Sequence, residues 1–459
     1  MGEDNGSGPV ETKAMLVELE QRYLRDYADH WSQALSAIAR VPIERTSQGA
    51  DQAARLAAAD SPLIKLLTEL RHNTLWLKPK APMNPAADTP QASSSPLANV
   101  ANLAAQATET ALDLIPDNGR MAVQRRFEAY HQLLDDDGKP SPDLAATLQA
   151  LDNLHAQLAT VTGAGQPEQA AFQLTSNRMA GHRSAGQPDA LNLLRALTAR
   201  LPRPMGEWLG SLADDSWRLL LNDTYRHINQ RYHEELYRAY TEAFAKRYPF
   251  DAHSDSDVAL ADFREFFKAR GTAERFFEGY LKPFVKGTPD NYSMRSIDGR
   301  GLPITLGTLA QLKRLERIRQ SFFSENPERP LIEFSLEPYS LDQQLSRAEL
   351  RLGNKRLEYR HGPVVPLSLQ WPAAADNGVA SLVVEQPGGR PIGYQEDSGP
   401  WSLFRLIERM KTELHSGRDV LMLKADIQGR RVNYLLMSQR SPNPFVMDDL
   451  RGFRLPAML

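Results

Sequence analysis

His233-Glu234-Glu235 opens like a zinc-binding helix, in which two imidazoles one turn apart hold a metal beside a glutamate base. The second histidine is missing, so the triplet reads as the solvated face of a long helix. The run Asp251-Ala252-His253-Ser254-Asp255-Ser256-Asp257 puts oxygen ligands at alternate positions, as calcium requires. Its sixth position is Ser256 rather than the turn-making glycine, and its twelfth is Asp262 rather than a bidentate glutamate. The same residues suit the cap and positive dipole end of a helix beginning near Asp257. Asp135-Asp136-Asp137 precedes Gly138-Lys139-Pro140 and reads as a turn, not as a carboxylate pair for acid–base work. No phosphate loop, dinucleotide-binding glycine motif, nucleophile elbow or zinc-protease motif occurs. These absences predict a protein that is not an enzyme and needs no cofactor.

Composition sets further bounds. The 459 residues suffice for two or three domains with buried cores. A hydrophobic content of 41% with 24% charged residues is that of an ordinary globular protein. The net charge of -3 removes any global electrostatic case for nucleic acid. There is no cysteine, which excludes disulfides, thiolate nucleophiles and cysteine zinc sites. No window approaches the roughly 18 apolar residues of a membrane span. Met1–Pro9 lacks the basic and apolar regions of a signal peptide and reads as a flexible start.

The elements that would position any site divide into a helical part and a strand-rich part. Leu16, Leu19, Tyr23, Tyr27, Trp31, Leu35 and Ile38 follow helical spacing. Ser61-Pro62 marks a second helix start. Residues 1–77 are thus predicted as an N-terminal helical segment, with 78–96, rich in Ala, Pro and Ser, as a linker. Residues 97–205 form a helical region, with helices at Leu97–Ile115, Met121–Leu134 and Pro142–Thr160 and a loose loop over 163–187. Residues 206–330 carry a long helix from Trp208 to Lys246, then short helices around Phe263, Phe276 and Leu312, with an aromatic core.

From Leu331 the period changes to two, and residues 331–459 are predicted as a β-sandwich. Ile332, Phe334 and Leu336 alternate with Glu333, Ser335 and Glu337. Leu350 and Leu352, then Gly353-Asn354, then Leu357 and Tyr359 signal a hairpin. Further strands fit Leu367–Trp371, Val379–Glu385, Val420–Lys424 and Val432–Ser438. One helix is expected where Leu403, Leu406, Met410 and Leu414 share a face behind Pro400. The predicted class is therefore α+β and multidomain: an elongated all-α region followed by a C-terminal β-sandwich with one embedded helix.

In this last third, aromatic, proline and glycine residues recur in fixed order: His361-Gly362-Pro363, Trp371-Pro372, Gly399-Pro400-Trp401 and Asn443-Pro444-Phe445. Such groups turn the chain sharply and anchor the turn. Trp371 and Trp401 suit a plug at one end of a sandwich first, and a partner contact only second. His361 suits a turn, and Asn443 an Asx turn. The basic face Lys313, Arg314, Arg317 and Arg319 is interleaved with Glu316 and reads as solvated. Arg347, Arg351, Arg356 and Arg360 fall on outward hairpin positions.

Taken in order, these motifs resemble the C-terminal, periplasmic part of the IcmF/TssM family of type VI secretion proteins. The resemblance begins with Tyr23, Tyr27 and Trp31, and with Ser61-Pro62-Leu63. It runs through Arg247-Tyr248-Pro249-Phe250, Asp262-Phe263, Phe266-Phe267, Phe276-Phe277, Pro283-Phe284-Val285 and Phe322-Phe323. It ends with the turn motifs above, Phe404-Arg405-Leu406 and Phe453-Arg454 before Pro456. It implies a periplasmic fragment of an inner-membrane-anchored protein, a strut in the secretion membrane complex. Expected partners are the outer-membrane lipoprotein TssJ, the inner-membrane protein TssL and other copies of the chain in a ring-like assembly. NTP hydrolysis is not expected, because the phosphate loop is missing. Candidate contact residues for TssJ are His361, Pro363, Trp371, Pro372, Asn443, Pro444 and Phe445. The rival expectation is a carbohydrate- or peptidoglycan-binding module, since sandwich loops with Trp and Tyr hold sugars.

Overall fold

The structure is a computed structural model that describes residues 9–76, 118–181, 189–373, 378–397, 399–417, 419–438, 440 and 443–459. The linker expected at 78–96 and the helix expected at Leu97–Ile115 lie outside these residues. The chain is α+β and divides into two compact units: residues 1–170 with 183–220, and residues 171–182 with 221–459.

The first unit is helical. Its described helices span Pro9–Ala37, Thr46–Ala57, Pro62–Thr74, Asn118–His131, Pro142–Thr162 and Ala190–Thr198, with the opening turns of Met205–Arg231. Ser61 caps as its sequence predicts: its hydroxyl accepts from the Leu63 amide at 3.2 Å and donates to the Leu56 carbonyl at 2.7 Å. The Thr46–Ala57 helix, which the periodicity did not reveal, buries only Thr46, Gly49, Ala50 and Ala53. Those small residues let helices approach closely. A Cβ at Gly49 would meet Ile43, Leu158 and Ser216 at 3.2–3.3 Å. In the first helix the expected apolar stripe is only partly buried. Of that stripe Leu35 is buried, whereas Leu16, Leu19, Tyr23 and Ile38 are exposed; the core face carries Leu24 and Ala28 instead, because the Asn118–His131 helix packs on the Leu24 side, where Gly119 lies against Leu24.

The second unit begins inside the loop expected over 163–187. Pro167–Ala180 is in fact a helix. Proline suits its first turn, and its buried stripe, Ala171, Thr175 and Met179, repeats every four residues but holds a single large apolar side chain. The long helix continues from Met205–Arg231 through a π-helical turn at Tyr232–Tyr237 and ends at Arg238–Ala243. Phe244, Phe250, Phe263, Phe266 and Phe267 follow in one cluster of ring contacts between 4.7 and 6.4 Å.

The strand region forms two antiparallel sheets, after a short hairpin of β1 (Val285–Lys286) and β2 (Ser293–Met294). One sheet has the order β6-β3-β11-β10-β9, where β3 is Ile332–Leu341, β6 Leu367–Trp371, β9 Lys411–Ser416, β10 Val420–Ile427 and β11 Arg430–Met437. The other has the order β5-β4-β7-β8, where β4 is Arg347–Leu352, β5 Lys355–Tyr359, β7 Ala380–Glu385 and β8 Ile392–Glu396. Alternation puts Ile332, Phe334, Leu336, Leu350, Leu382, Leu421 and Leu436 inside. The embedded helix is shorter than its apolar spacing implied: Ser402–Glu408 is helical, and Leu414 belongs to strand β9. There Leu414 pairs with Leu421 of β10, a register that helical spacing cannot anticipate.

After β11 the chain leaves the sheets and returns to the helices. Phe453 packs on Tyr240, Phe250 and Phe267 at 5.6–6.0 Å. The Tyr232 hydroxyl donates to the Pro456 carbonyl at 2.6 Å, and that of Tyr225 to the Leu459 carbonyl at 2.9 Å.

Candidate partner-binding surface

The seven candidate residues fall into two sets. His361 and Pro363 lie on the exposed turn after β5. His361 has φ 57°, and its Nε2–H donates to the Leu345 carbonyl at 2.7 Å, so the ring fastens the turn. Val364 and Val365 next to it are open to solvent, Val365 at 68%. The remaining candidates are largely internal: Trp371, Asn443, Pro444 and Phe445 are buried and Pro372 is half-buried.

Trp371 and Phe445 are brought together through Phe404. The Trp371 ring lies 5.1 Å from Phe404, which stacks on Phe445 at 5.1 Å. Trp401 closes the cluster at 4.8 Å from Trp371. The Trp371 indole donates to the Pro400 carbonyl at 2.5 Å. Asn443 makes the Asx turn its sequence predicts, its Oδ1 accepting from the Phe445 amide at 3.0 Å while its Nδ2 donates to Asp419. These side chains hold the loops; what they hold out is a different set.

Two cavities flank the cluster. One, of about 330 Å³, lies beside Phe334, Asn354, Leu369, Trp371, Pro372 and Leu403. The other, of about 250 Å³, is lined by Ile318, Leu414, Asn443, Val446, Asp448 and Asp449, among others. Leu414 is 59% exposed and Val446 39%. Neither was legible as a surface residue, since Leu414 read as part of a helix and Val446 has no motif of its own. Asp449 pairs with Arg317 at 3.1 Å, and its burial holds the carboxyl above the usual range. Asp448 is exposed, and among the described residues no cation pairs with it.

Several members of the other charged runs are paired internally. Arg347 meets Glu349, Glu358 and Glu385, and Arg356 pairs with Glu349. Arg319 pairs with Glu274 and Glu316. Asp257 pairs with Arg405, and Asp251 accepts from the His253 amide, so the 251–257 run makes turns and ties. Among the described residues no group of three His, Asp or Glu could hold a metal ion, and no helix is long and apolar enough to cross a membrane.

Three family models match the chain. The type VI secretion protein IcmF C2-like domain matches residues 334–440, and the IcmF helical domain matches residues 224–327. An IcmF-related model, described as intracellular multiplication and human macrophage-killing, matches residues 2–75. The type VI secretion system component TssM1 of Pseudomonas aeruginosa is 25% identical over 452 residues, 97% of this chain. The match spans only 40% of that relative's length. Among solved structures, a type VI secretion system membrane core complex chain superposes with TM-score 0.70 at 20% identity, covering 98% of this chain and 85% of that one. A type VI membrane complex chain gives TM-score 0.68 at 20% identity, covering 96% and 79%. These two likenesses establish the fold.

Proposed function

Because the chain belongs to the IcmF/TssM family of type VI secretion proteins, we propose that it is the periplasmic, structural part of a TssM-type protein. In this reading it helps bridge the inner to the outer membrane within the secretion membrane complex. It does so by binding the lipoprotein TssJ, in company with TssL and further copies of itself, and it catalyses no reaction. The observation that carries the reading is the similarity to TssM1 along 97% of the chain. The internal pairing of its charged runs and its densely packed aromatic core suit a load-bearing role.

The carbohydrate-binding alternative needs aromatic rings open for sugar stacking. Trp371 and Trp401 are 3% and 0% exposed, which leaves that alternative tyrosines such as Tyr339, 50% exposed. Calorimetric titration of the whole chain with the cognate soluble TssJ domain tests the proposal. Saturable binding at about micromolar affinity or tighter is expected. Heat-silent mixing of two folded proteins, together with quenching of tryptophan emission by glycan fragments, would reverse the choice.

A further inference from the structure

Among the described residues strand β9 ends its sheet with only β10 beside it, so alternate backbone N–H and C=O groups face outward. All its residues but one are exposed. The opposite end of the same sheet is guarded: the Lys355 ammonium donates to the Ser368 carbonyl of edge strand β6 at 2.7 Å. No such side chain crosses β9 among the described residues. Lys411 and Lys424 converge instead on Glu413, which they hold down to about 2.

Leu414 of this open edge lines the 250 Å³ cavity together with Val446 and the exposed Asp448. We propose, on the basis of the partner-binding reading above, that β9 accepts an extended strand from the partner protein. A residue paired with Leu414 points to the same face of the sheet and therefore over the cavity. Charge complementarity specifies its neighbour. The rim carries the exposed carboxylate of Asp448, which no cation among the described residues pairs, while Asp449 is already satisfied by Arg317, so the incoming strand presents an apolar side chain with a lysine or arginine two positions away. The buried Asn443, Pro444 and Phe445 act by positioning Val446 and Asp448 rather than by touching the partner.

The test uses the whole chain and the cognate soluble TssJ domain, with hydrogen exchange and titration read in parallel. Slowed exchange of the 411–416 amides in the complex is expected, with about ten-fold weaker binding for Leu414→Glu and for Asp448→Lys. Leu414→Thr, which suits a strand, guards against misfolding and should also weaken binding. Leu306→Glu, at a residue 83% exposed elsewhere, should bind as the unsubstituted chain does. Unchanged exchange at 411–416, or loss of binding confined to Val365→Asp, would overturn the inference while leaving TssJ binding intact. Failure of the unsubstituted chain to bind TssJ would overturn the reading on which the inference rests.

Discussion

The indole N–H of Trp401 donates to the backbone carbonyl of Val258 at 2.7 Å across 143 residues of sequence. The donor sits at the start of the embedded helix and the acceptor in the turn after Tyr248-Pro249. Around this bond the Trp401 ring meets Phe263 at 5.4 Å, and Arg405 lies over the buried Tyr248 ring at 3.9 Å while pairing with Asp257. Sandwich and aromatic helices thus share one core.

Trp401→Phe keeps a ring in this core but leaves the Val258 carbonyl unpaired and a gap behind it. The expected loss is about 2 kcal/mol, read as a lower urea midpoint with unchanged slope. A midpoint equal to that of the unsubstituted chain would mean that the bond contributes nothing net.

Phe453→Ala removes a fully buried ring that touches Tyr240, Phe250, Phe266 and Phe267. The expected cost is about 3–5 kcal/mol, and the C-terminal contacts with Tyr225 and Tyr232 should loosen with it. Faster exchange across 225–240 in the variant checks that coupling.

Gly49 stands where two helices nearly touch. Gly49→Val places branched carbons against Ile43 and Leu158 and should destabilise the first unit by about 1–3 kcal/mol. Circular dichroism melting tests it, with the same substitution at exposed Gly165, where an added Cβ meets nothing within 4 Å, as the comparison.

His131 predicts an acid response. Thr74 donates its hydroxyl proton to the Leu70 carbonyl at 2.6 Å, so at 2.7 Å it accepts from the His131 Nε2–H. Burial, then the nearby Arg71, lowers the imidazole pKa, with Glu128 opposing. A base lowered in the folded state binds its proton more readily when unfolded. Stability is therefore full above the unfolded value of about 6.5 and declines as pH falls from there toward the folded value. His131→Gln should flatten that part of the pH–stability curve.

Large periodic features were legible in the residues. The Trp217–Tyr240 stripe, the Ile332–Leu336 alternation and the hairpin around Gly353-Asn354 each announce a period that burial then obeys. What escaped was set by contacts distant in sequence. Pro167–Ala180 packs through Ala171 and Thr175, residues with no apolar signal, and Leu414 is in helical register with Leu403 yet pairs across β10. The surface set was harder still. Conspicuous residues such as Trp371 and Phe445 are internal anchors, while exposed Val446 and Asp448 look ordinary, because turn motifs reveal where a loop is held and not which side chains it presents.

The proposed contact between this chain and TssJ can be tested covalently. The sequence has no cysteine, so Val446→Cys provides a single thiol for a photoactivatable cross-linker, with Leu306→Cys as the comparison. Irradiation with the cognate TssJ domain should give a covalent adduct, identified by peptide mass, from position 446 and none from position 306. Equal adducts from both positions, or none from either under conditions where both proteins remain folded, would contradict the account.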